Sequence, residues 1–360
     1  MMDIFFYQAE CGDAARICYV GTDGKPHNIF VDAGYERTFR HALAEEIQTL
    51  EIASEQIDLW VVSHIHDDHI GGVLSYIKAI KDGEFTDIVH AWYYNPPRET
   101  FSTLSPPSHS ISEAKSIQQG DDLLTYLSSV NKVPEVDFTT SLPEINLHGL
   151  KITILSPTPE KLEMLREKYP PLQDNPFERE EDLVVSHAVA AVGYDYHIRI
   201  DEFDLSQWRE DNSVENGSSI SFLTEYEGKK VLWLADAHPS VIANSLLRLG
   251  YSVDNPLICE WVKVAHHGSK GNNSQLLYSM VRCNNYLMSV NGENRHNLPS
   301  KECLARILRQ QERPPGSKYH FYFTYDNEIL RSIFTVDQRE VFERYDFTVT
   351  FLKDKRLHVY

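Results

Sequence analysis

The segment SHIHDDHIGG, at positions 63–72, constrains the fold of this chain more than any other stretch. It places three histidines and two aspartates within six residues. The residues just before it, at positions 57–62, are apolar apart from Asp58, which is typical of a strand buried on both faces. After it, Val73, Ile77 and Ile80 recur at helical spacing. The polar cluster therefore lies at the junction between a buried strand and a helix.

Closely spaced histidines and carboxylates at a strand end are typical metal ligands. His64 and His66 are two positions apart, so an extended backbone directs both imidazoles to the same side, where they can bind one ion. Asp68 and His69 follow on a turn into the helix and can serve a second ion. Imidazole and carboxylate groups suit zinc, iron and manganese. Asp67, between them, is interpreted as a solvated turn residue.

The pattern along the rest of the chain predicts α/β layers around two sheets. Strand and helix signals alternate over most of the sequence, and β-only runs occur near the start and in the tail. Residues 157–215 are rich in proline and acidic residues and read as an insertion or lid. Residues 316–360 read as a β-rich extension that either joins the second sheet, forms an appendage or makes a dimer contact.

Composition restricts the setting and the partners. The formal net charge is −19, which disfavours binding to long nucleic acids unless metal ions reverse the local field. Five widely spaced cysteines without a CxxC pair argue against a disulfide framework and favour a reducing cytoplasm. We find no membrane-spanning apolar stretch and no secretory signal pattern.

The HxHxDH pattern resembles the signature of the metallo-β-lactamase fold superfamily, and three further motifs follow the superfamily's order. Asp32 in IFVDAG resembles the early aspartate that steadies the metal loop. Asp236 in VLWLADAH resembles the aspartate that bridges two metals. His266 and His267 in AHHGS lie where the last histidine ligand is expected, with His267 favoured as the ligand. The resemblance implies two mixed sheets flanked by helices, in a four-layer αββα sandwich within residues 1–315.

The details are similar to the hydrolase domain of the DNA-uptake channel protein ComEC and to its stand-alone relatives. The shared stretches are ECGDA, ENGSSISFLTEYEGKKVLWLADA and VKVAHHGSKGNNS. The segment NGENRHNLPSKECLARIL resembles the place where that group carries a His-Pro pair, which makes His296 a candidate for binding an anion. The channel's transmembrane part has no counterpart here, so the resemblance implies no transport.

One departure concerns the first metal. Most of the superfamily has a histidine about twenty residues before the bridging aspartate, whereas this chain reads NSVENGSS at positions 212–219. The missing ligand is replaced by Asn216, by Glu215, by His187 from the insertion, or by water.

The resemblance implies a dinuclear metal-dependent hydrolase that uses a metal-bound hydroxide, with zinc as the expected metal and manganese or iron as alternatives. The metal ligands are then His64, His66, Asp68, His69, Asp236 and His267. Asp68 or Asp236 orients the attacking hydroxide and takes its proton. His266 contacts a substrate oxygen or protonates a leaving group, and His296 binds a phosphate or carboxylate. A phosphodiester or another phosphoester is the expected substrate, in a nucleotide, a small phosphodiester or a nucleic acid, the last being disfavoured by the net charge. The alternatives are a carboxylic ester, lactone or amide hydrolase and a binding module with a degenerate site.

Overall fold

In the computed structural model of the chain, the described residues are 2–98, 111–169, 193–310, 316–337 and 339–359. Their strands are β1 (Met2–Tyr7), β2 (Ala15–Val20), β3 (Pro26–Val31), β4 (Ile57–Val61), β5 (Val89–Tyr93), β6 (Ile145–Leu147), β7 (Leu150–Ser156), β8 (Ser221–Tyr226), β9 (Lys229–Trp233), β10 (Leu257–Ile258), β11 (Trp261–Lys263), β12 (Val281–Arg282), β13 (Asn285–Met288), β14 (Tyr319–Phe323), β15 (Phe347–Phe351) and β16 (Arg356–Val359).

The helices are α1 (Glu36–Thr38), α2 (Ala44–Ala53), α3 (Asp67–Lys81), α4 (Ile111–Ser129), α5 (Pro159–Lys168), α6 (Val214–Gly217), α7 (Pro239–Arg248), α8 (Gln275–Ser279), α9 (Lys301–Leu308), α10 (Glu328–Arg331) and α11 (Glu340–Arg344). A π-helical segment, Phe39–Leu43, joins α1 to α2 without a break.

The strands form two large mixed sheets. The first has six strands in the order β16-β1-β2-β3-β4-β5, and the second has eight in the order β15-β14-β13-β11-β9-β8-β7-β6. In the first sheet β3, β4 and β5 run parallel, and in the second β9, β11, β13, β14 and β15 run parallel. Two strands of the C-terminal segment thus extend the second sheet, and β16 pairs with β1 in the first.

Three apolar clusters define the layers. One lies between the sheets, where aromatic rings from both meet: the ring centroids of Phe6 and Trp233 are 5.5 Å apart. A second packs the outer face of the first sheet against α2, α3 and α4, and a third packs the second sheet against α7, α8 and α9. Each large apolar side chain buried this way contributes about 1.5–3 kcal/mol. The predicted sandwich of two mixed sheets flanked by helices is confirmed.

The parallel strands decide where the site can form. Their carboxyl ends meet at one edge of each sheet, and the loops leaving β3 and β4 lie against those leaving β9, β11 and β13. The loops after β4 and before β8 are joined directly, since the amide of Ile220 donates to the carbonyl of Ser63 at 2.8 Å. Loops at the carboxyl ends of such strands carry the binding groups of many α/β proteins.

Helix α3 is seated against the loop after β3 by a close backbone contact. A Cβ atom at Gly72 would lie 2.1 Å from the carbonyl oxygen of Ala33, and the amide of Gly72 donates to the carbonyl of Gly34 at 2.9 Å. Only glycine leaves room for this approach. The contact fixes the helix that carries Asp68 and His69 relative to the loop that carries Asp32.

We therefore expect Gly72→Ala to destabilise the protein by about 1–3 kcal/mol, as overpacking against a rigid neighbour does. The sign is informative, because glycine-to-alanine changes inside helices ordinarily stabilise by about 1 kcal/mol. Urea unfolding monitored by circular dichroism measures the change. Gly193→Ala is the control, because a Cβ atom there meets nothing within 4 Å. An unchanged or raised stability for Gly72→Ala would show that the contact is not tight.

Candidate metal centre

The predicted site residues lie where strands of both sheets end. Asp32 follows β3 directly and His64 lies three residues beyond β4. From the second sheet, Asp236 lies three residues beyond β9 and His266 three residues beyond β11. His66 caps the N-terminus of α3 with an extended backbone (φ −68°, ψ 143°). The strand ends thus bring together side chains that are up to about 235 positions apart in the sequence.

His64, His66 and Asp236 form one group of potential ligands. Their ligand atoms all lie within 4.8 Å of one another. Nε2 of His64 is 3.1 Å from Nδ1 of His66 and 3.7 Å from Oδ2 of Asp236. Two imidazole nitrogens and a carboxylate oxygen that face one point match the donor set of a divalent transition metal. This group is called the first triad below.

Asp68, His69 and His267 form a second group with the same spacing limit, called the second triad below. Oδ2 of Asp68 is 3.2 Å from Nε2 of His267 and 3.8 Å from Nε2 of His69. Both histidines are buried, and Asp68 is partly buried. The segment at positions 64–69 therefore contributes ligands to both triads, while the AHHGS loop contributes to the second.

The carboxylate of Asp236, a member of the first triad, also faces the second triad. Its Oδ1 faces His69 at 3.5 Å and His267 at 3.9 Å, whereas its Oδ2 faces His64 at 3.7 Å. The residue is 1% exposed, and neither oxygen has a hydrogen-bond partner among the described residues. A buried carboxylate without partners is strongly unfavourable unless cations neutralise it. The donor set and this unpartnered carboxylate fit a pair of metal ions.

A hydrogen-bond network behind the triads fixes which nitrogen of each imidazole faces the site. Asp32 accepts three bonds: from the Ser63 amide at 2.7 Å, from the Ser63 hydroxyl at 2.8 Å and from Nδ1 of His69 at 2.8 Å. Because the Ser63 hydroxyl donates to Asp32, its oxygen is left to accept from Nδ1 of His64 at 3.1 Å. Both rings thus present Nε2 to Asp236, an arrangement typical of metal-ligating histidines.

The AHHGS loop has an unusual backbone. His266 (φ 43°, ψ 54°) and His267 (φ 52°, ψ 27°) are consecutive residues in the left-handed region, which costs of order 1–3 kcal/mol for each residue. Polar contacts hold the loop. Nδ1 of His267 donates to the Ser289 carbonyl at 2.9 Å, and the Asn273 amide donates to the Ala265 carbonyl at 2.9 Å. Strain of this kind is characteristic of functional loops.

The electrostatics divide the histidines into two kinds. Burial lowers the pKa of His64 and of His66, with neighbouring imidazoles adding to the effect on His64. Burial acts in the same direction on His69 and His267, but nearby carboxylates outweigh it. Asp236, Asp32 and Asp68 raise the pKa of His69 well above its usual range, and Asp13 with Asp236 raises the pKa of His267 to about 10.

The carboxylates respond in the opposite sense. Burial favours their protonated forms, but the surrounding imidazoles hold the pKa of Asp236 and of Asp68 well below the usual range. Without metal, the centre therefore contains ionised carboxylates neutralised by protonated His69 and His267.

The candidates for the missing histidine differ in their surroundings: Glu215 is engaged by other side chains, whereas Oδ1 of Asn216 is buried without a hydrogen-bond partner among the described residues. Glu215 is bound by Nζ of Lys168 at 2.6 Å and by the Tyr169 hydroxyl, so its carboxylate serves that contact. Nδ2 of Asn216 donates to Asp211 at 2.6 Å. His187 lies outside the described residues. His296 is exposed on the loop after β13, where Nε of Arg295 donates to its Nε2 at 2.9 Å.

Several supporting residues carry no local sequence signal for this role. Asp13 lies 3.4 Å from Nδ1 of His267 through its Oδ1 and forms a buried ion pair with Lys263. Ser289 contacts His267 through its backbone carbonyl, and Asn272 contacts His266 through its side-chain amide oxygen. Asp13 lies in the ECGDA motif, and that motif is the sequence feature that could have identified it as a supporting residue. Backbone carbonyls and amides leave no pattern that a single sequence reveals.

The model of the metallo-beta-lactamase superfamily matches residues 18–142, a stretch that contains Asp32 and the HxHxDH segment. The two mixed sheets flanked by helices are consistent with the fold of that superfamily. The match supports the superfamily named from the motifs. A search of curated protein sequences finds no match.

Two solved structures show the extent of similarity to known folds. CmlA, a diiron beta-hydroxylase from Streptomyces venezuelae, aligns with 12% identity and a TM-score of 0.40, over 99% of this chain and 54% of that one. A long form RNase Z from yeast aligns with 10% identity and a TM-score of 0.36, over 99% of this chain and 45% of that one. The chain spans about half the length of each.

No helix in the described part of the chain combines the length and apolarity that a bilayer crossing requires.

The Asp32 network leads to a prediction about metal affinity. Asp32→Asn replaces an acceptor of three hydrogen bonds by an amide and disturbs the orientation of His64 and His69. We expect the affinity for divalent metal to fall about 10–100-fold, as it does when such supporting partners are lost. Isothermal titration of the metal-free protein with zinc measures this. Asp67→Asn is the control, since Asp67 contacts Lys115 and Gln119 instead of the triads. Equal affinities for the two variants would contradict the role of Asp32.

The pKa shifts predict different pH dependences for the two triads. His69 and His267, with raised pKa values, must each lose a proton before they can bind metal, so filling the second triad releases two protons. Its apparent affinity should rise about 100-fold per pH unit between pH 6 and 8. His64 and His66, with lowered pKa values, are already neutral, so the first triad should vary little there. Competition with a chromophoric chelator at several pH values tests this, and equal slopes for both ions would refute it.

Proposed function

We propose that the chain is a dinuclear metal-dependent hydrolase of phosphoesters, with a small phosphodiester or a nucleotide as the substrate. The observation that carries this proposal is the buried carboxylate of Asp236, whose two oxygens face different triads and lack any hydrogen-bond partner among the described residues. A carboxylate in that position is the natural bridge between two cations. Catalytic rather than purely structural sites are expected where a cluster opens to solvent, and His66 and Asp68 are only partly buried.

The first ion would be held by His64, His66 and Asp236, and the second by Asp68, His69, His267 and Asp236. Zinc is the expected metal because imidazole and carboxylate ligands suit it, and manganese or iron are the alternatives. A pair of divalent cations acts as a Lewis acid on phosphoryl oxygens and lowers the pKa of water from 15.7 to about 7.

The two site aspartates serve as fixed negative charges. Because imidazoles hold the pKa of Asp68 and of Asp236 far below the usual range, both carboxylates are weak bases at neutral pH. They keep the triads assembled and orient what binds between them.

Arg295 and His296 support an anionic substrate. Partial desolvation of the ring by its surroundings, together with the charges of Arg295 and His266, lowers the pKa of His296 and favours the neutral ring. Since its Nε2 accepts from Arg295, its Nδ1 carries the proton and can donate. A guanidinium beside an imidazole donor is well suited to phosphate oxygens. His296 also responds to the charge of Asp68, which places it within electrostatic reach of the triads.

The substrate is proposed to be small. The net charge of −19 opposes long nucleic acids electrostatically, while a small phosphodiester or nucleotide can be held by local cations. The motifs shared with the ComEC-like group support phosphoester chemistry as opposed to esters, lactones or amides. The five free cysteines support a reducing compartment, for which we propose the cytoplasm.

The decisive experiment combines metal content with turnover of bis(p-nitrophenyl) phosphate. Protein purified without added metal is measured by elemental analysis and assayed beside the double variant His66→Ala/Asp68→Ala, which removes one ligand from each triad. We expect about two metal ions per chain and turnover that disappears in the double variant. Asp67→Asn, which leaves both triads intact, should retain turnover.

Two results would overturn the proposal. Two bound ions without phosphodiester turnover, but with hydrolysis of p-nitrophenyl acetate that the double variant lacks, would indicate a carboxylic ester hydrolase. No bound metal, and no activity after addition of zinc or manganese, would leave a binding module.

A further inference from the structure

The first triad contains two histidines, one fewer than most of the superfamily provides. His266 directs an imidazole toward that place. Its Nε2 lies 3.6 Å from Oδ2 of Asp236, the same oxygen that faces Nε2 of His64 at 3.7 Å. With zinc–nitrogen bonds of about 2.0–2.1 Å, two ligand atoms on a tetrahedral ion lie about 3.3–3.4 Å apart. The distances of both nitrogens from Oδ2 of Asp236 are close to that value.

The hydrogen bonds of Asn272 determine which nitrogen of His266 is free to bind. Nδ2 of Asn272 donates to Asp211 at 3.0 Å and to the Asp236 carbonyl at 2.9 Å, which fixes the orientation of the amide. Its Oδ1 must therefore accept from Nδ1 of His266 at 2.8 Å. In a neutral ring the lone pair then lies on Nε2, the atom that faces Asp236.

His267, a member of the second triad, is supported in the same way. Its Nδ1 donates to the Ser289 carbonyl, and its Nε2 faces Asp68 Oδ2 and Asp236 Oδ1. The left-handed backbone at both positions directs two adjacent rings to the two oxygens of one carboxylate. Asn216 lies behind His266, with Nδ2 3.4 Å from Nδ1 of that ring. It is linked to the ring through Asp211, to which its Nδ2 donates at 2.6 Å.

We propose that Nε2 of His266 is the third imidazole ligand of the first metal site, in place of the histidine that is absent from positions 212–219. The AHHGS loop then supplies one ligand to each ion. This inference rests on the metal centre of the proposed function and not on its substrate. It gives His266 a different task from protonating a leaving group, which needs no metal contact.

The test measures metal binding directly. Metal-free protein is titrated with Co²⁺ and with Zn²⁺, and the visible absorption of bound Co²⁺ reports its coordination. For His266→Ala and for His266→Asn we expect at least a roughly tenfold loss of affinity for one ion and little change for the other. The Co²⁺ spectrum should change at the weakened site. His41→Ala, at an exposed position, is the control, and thermal unfolding shows whether each variant folds.

His267→Ala should weaken the other ion, so the two variants should produce distinct titration curves. If both His266 variants bind two ions with wild-type affinity and spectrum while turnover falls, His266 is a proton donor or substrate contact and the proposal is wrong. That result leaves the dinuclear centre intact. If the wild-type protein itself binds fewer than two ions, the centre fails, and this inference fails with it.

Discussion

The buried carboxylate of Asp236 is the constraint around which the centre is organised. It is 1% exposed, and its two oxygens face histidines from two separate segments of the chain: residues 64–69 and the AHHGS loop with His266 and His267. An ionised group in such a place must be compensated by cations, by protons on neighbouring imidazoles, or by both. The sheets supply the geometry, since the parallel strands end at the same edge and deliver these segments to one point. The loops after these strands are placed so that their histidines can compensate the charge of Asp236.

Protons and metal ions compete for the same compensation. In the metal-free protein, protonated His69 and His267 neutralise the carboxylates and hold the pocket together. Asp13 and Asp32 stabilise these protonated rings from behind, because they accept from or lie close to the Nδ1 atoms. The same aspartates keep the rings oriented when the Nε2 protons leave. One set of contacts thus orients both the protonated and the neutral rings.

The sequence was sufficient for the fold class and for the cluster at positions 64–69. The buried strand before the cluster and the helix after it both follow from apolar spacing, and β4 and α3 lie where that spacing puts them. Asp236 and His267 were accessible through motif order. The supporting contacts were not, because Asp13, Ser289 and Asn272 act through long-range pairing of loops that only the strand order brings together. A carbonyl such as that of Ser289 is chemically the same in every residue, so no pattern can mark it.

The same reasoning explains why the missing ligand could not be located from sequence. The sequence offers Glu215 and Asn216 near the vacant motif position, His187 in the insertion, and water as substitutes. The structure turns Glu215 toward Lys168 and brings His266 to Asp236 from a different strand. The ring of His266 faces the site because two successive residues adopt the left-handed conformation. Residues other than glycine rarely adopt it, so the sequence does not predict it.

That pair of left-handed residues has a mechanical consequence. Adjacent residues in a strand point to opposite faces, but here two neighbouring rings converge on one carboxylate from a single rigid turn. Their positions are therefore not independent, because any shift of the backbone that moves one ring moves the other. The turn mechanically couples the ring of His266 to the ring of His267. Because the two rings are adjacent in the chain, a displacement of the AHHGS backbone alters the surroundings of both oxygens of Asp236.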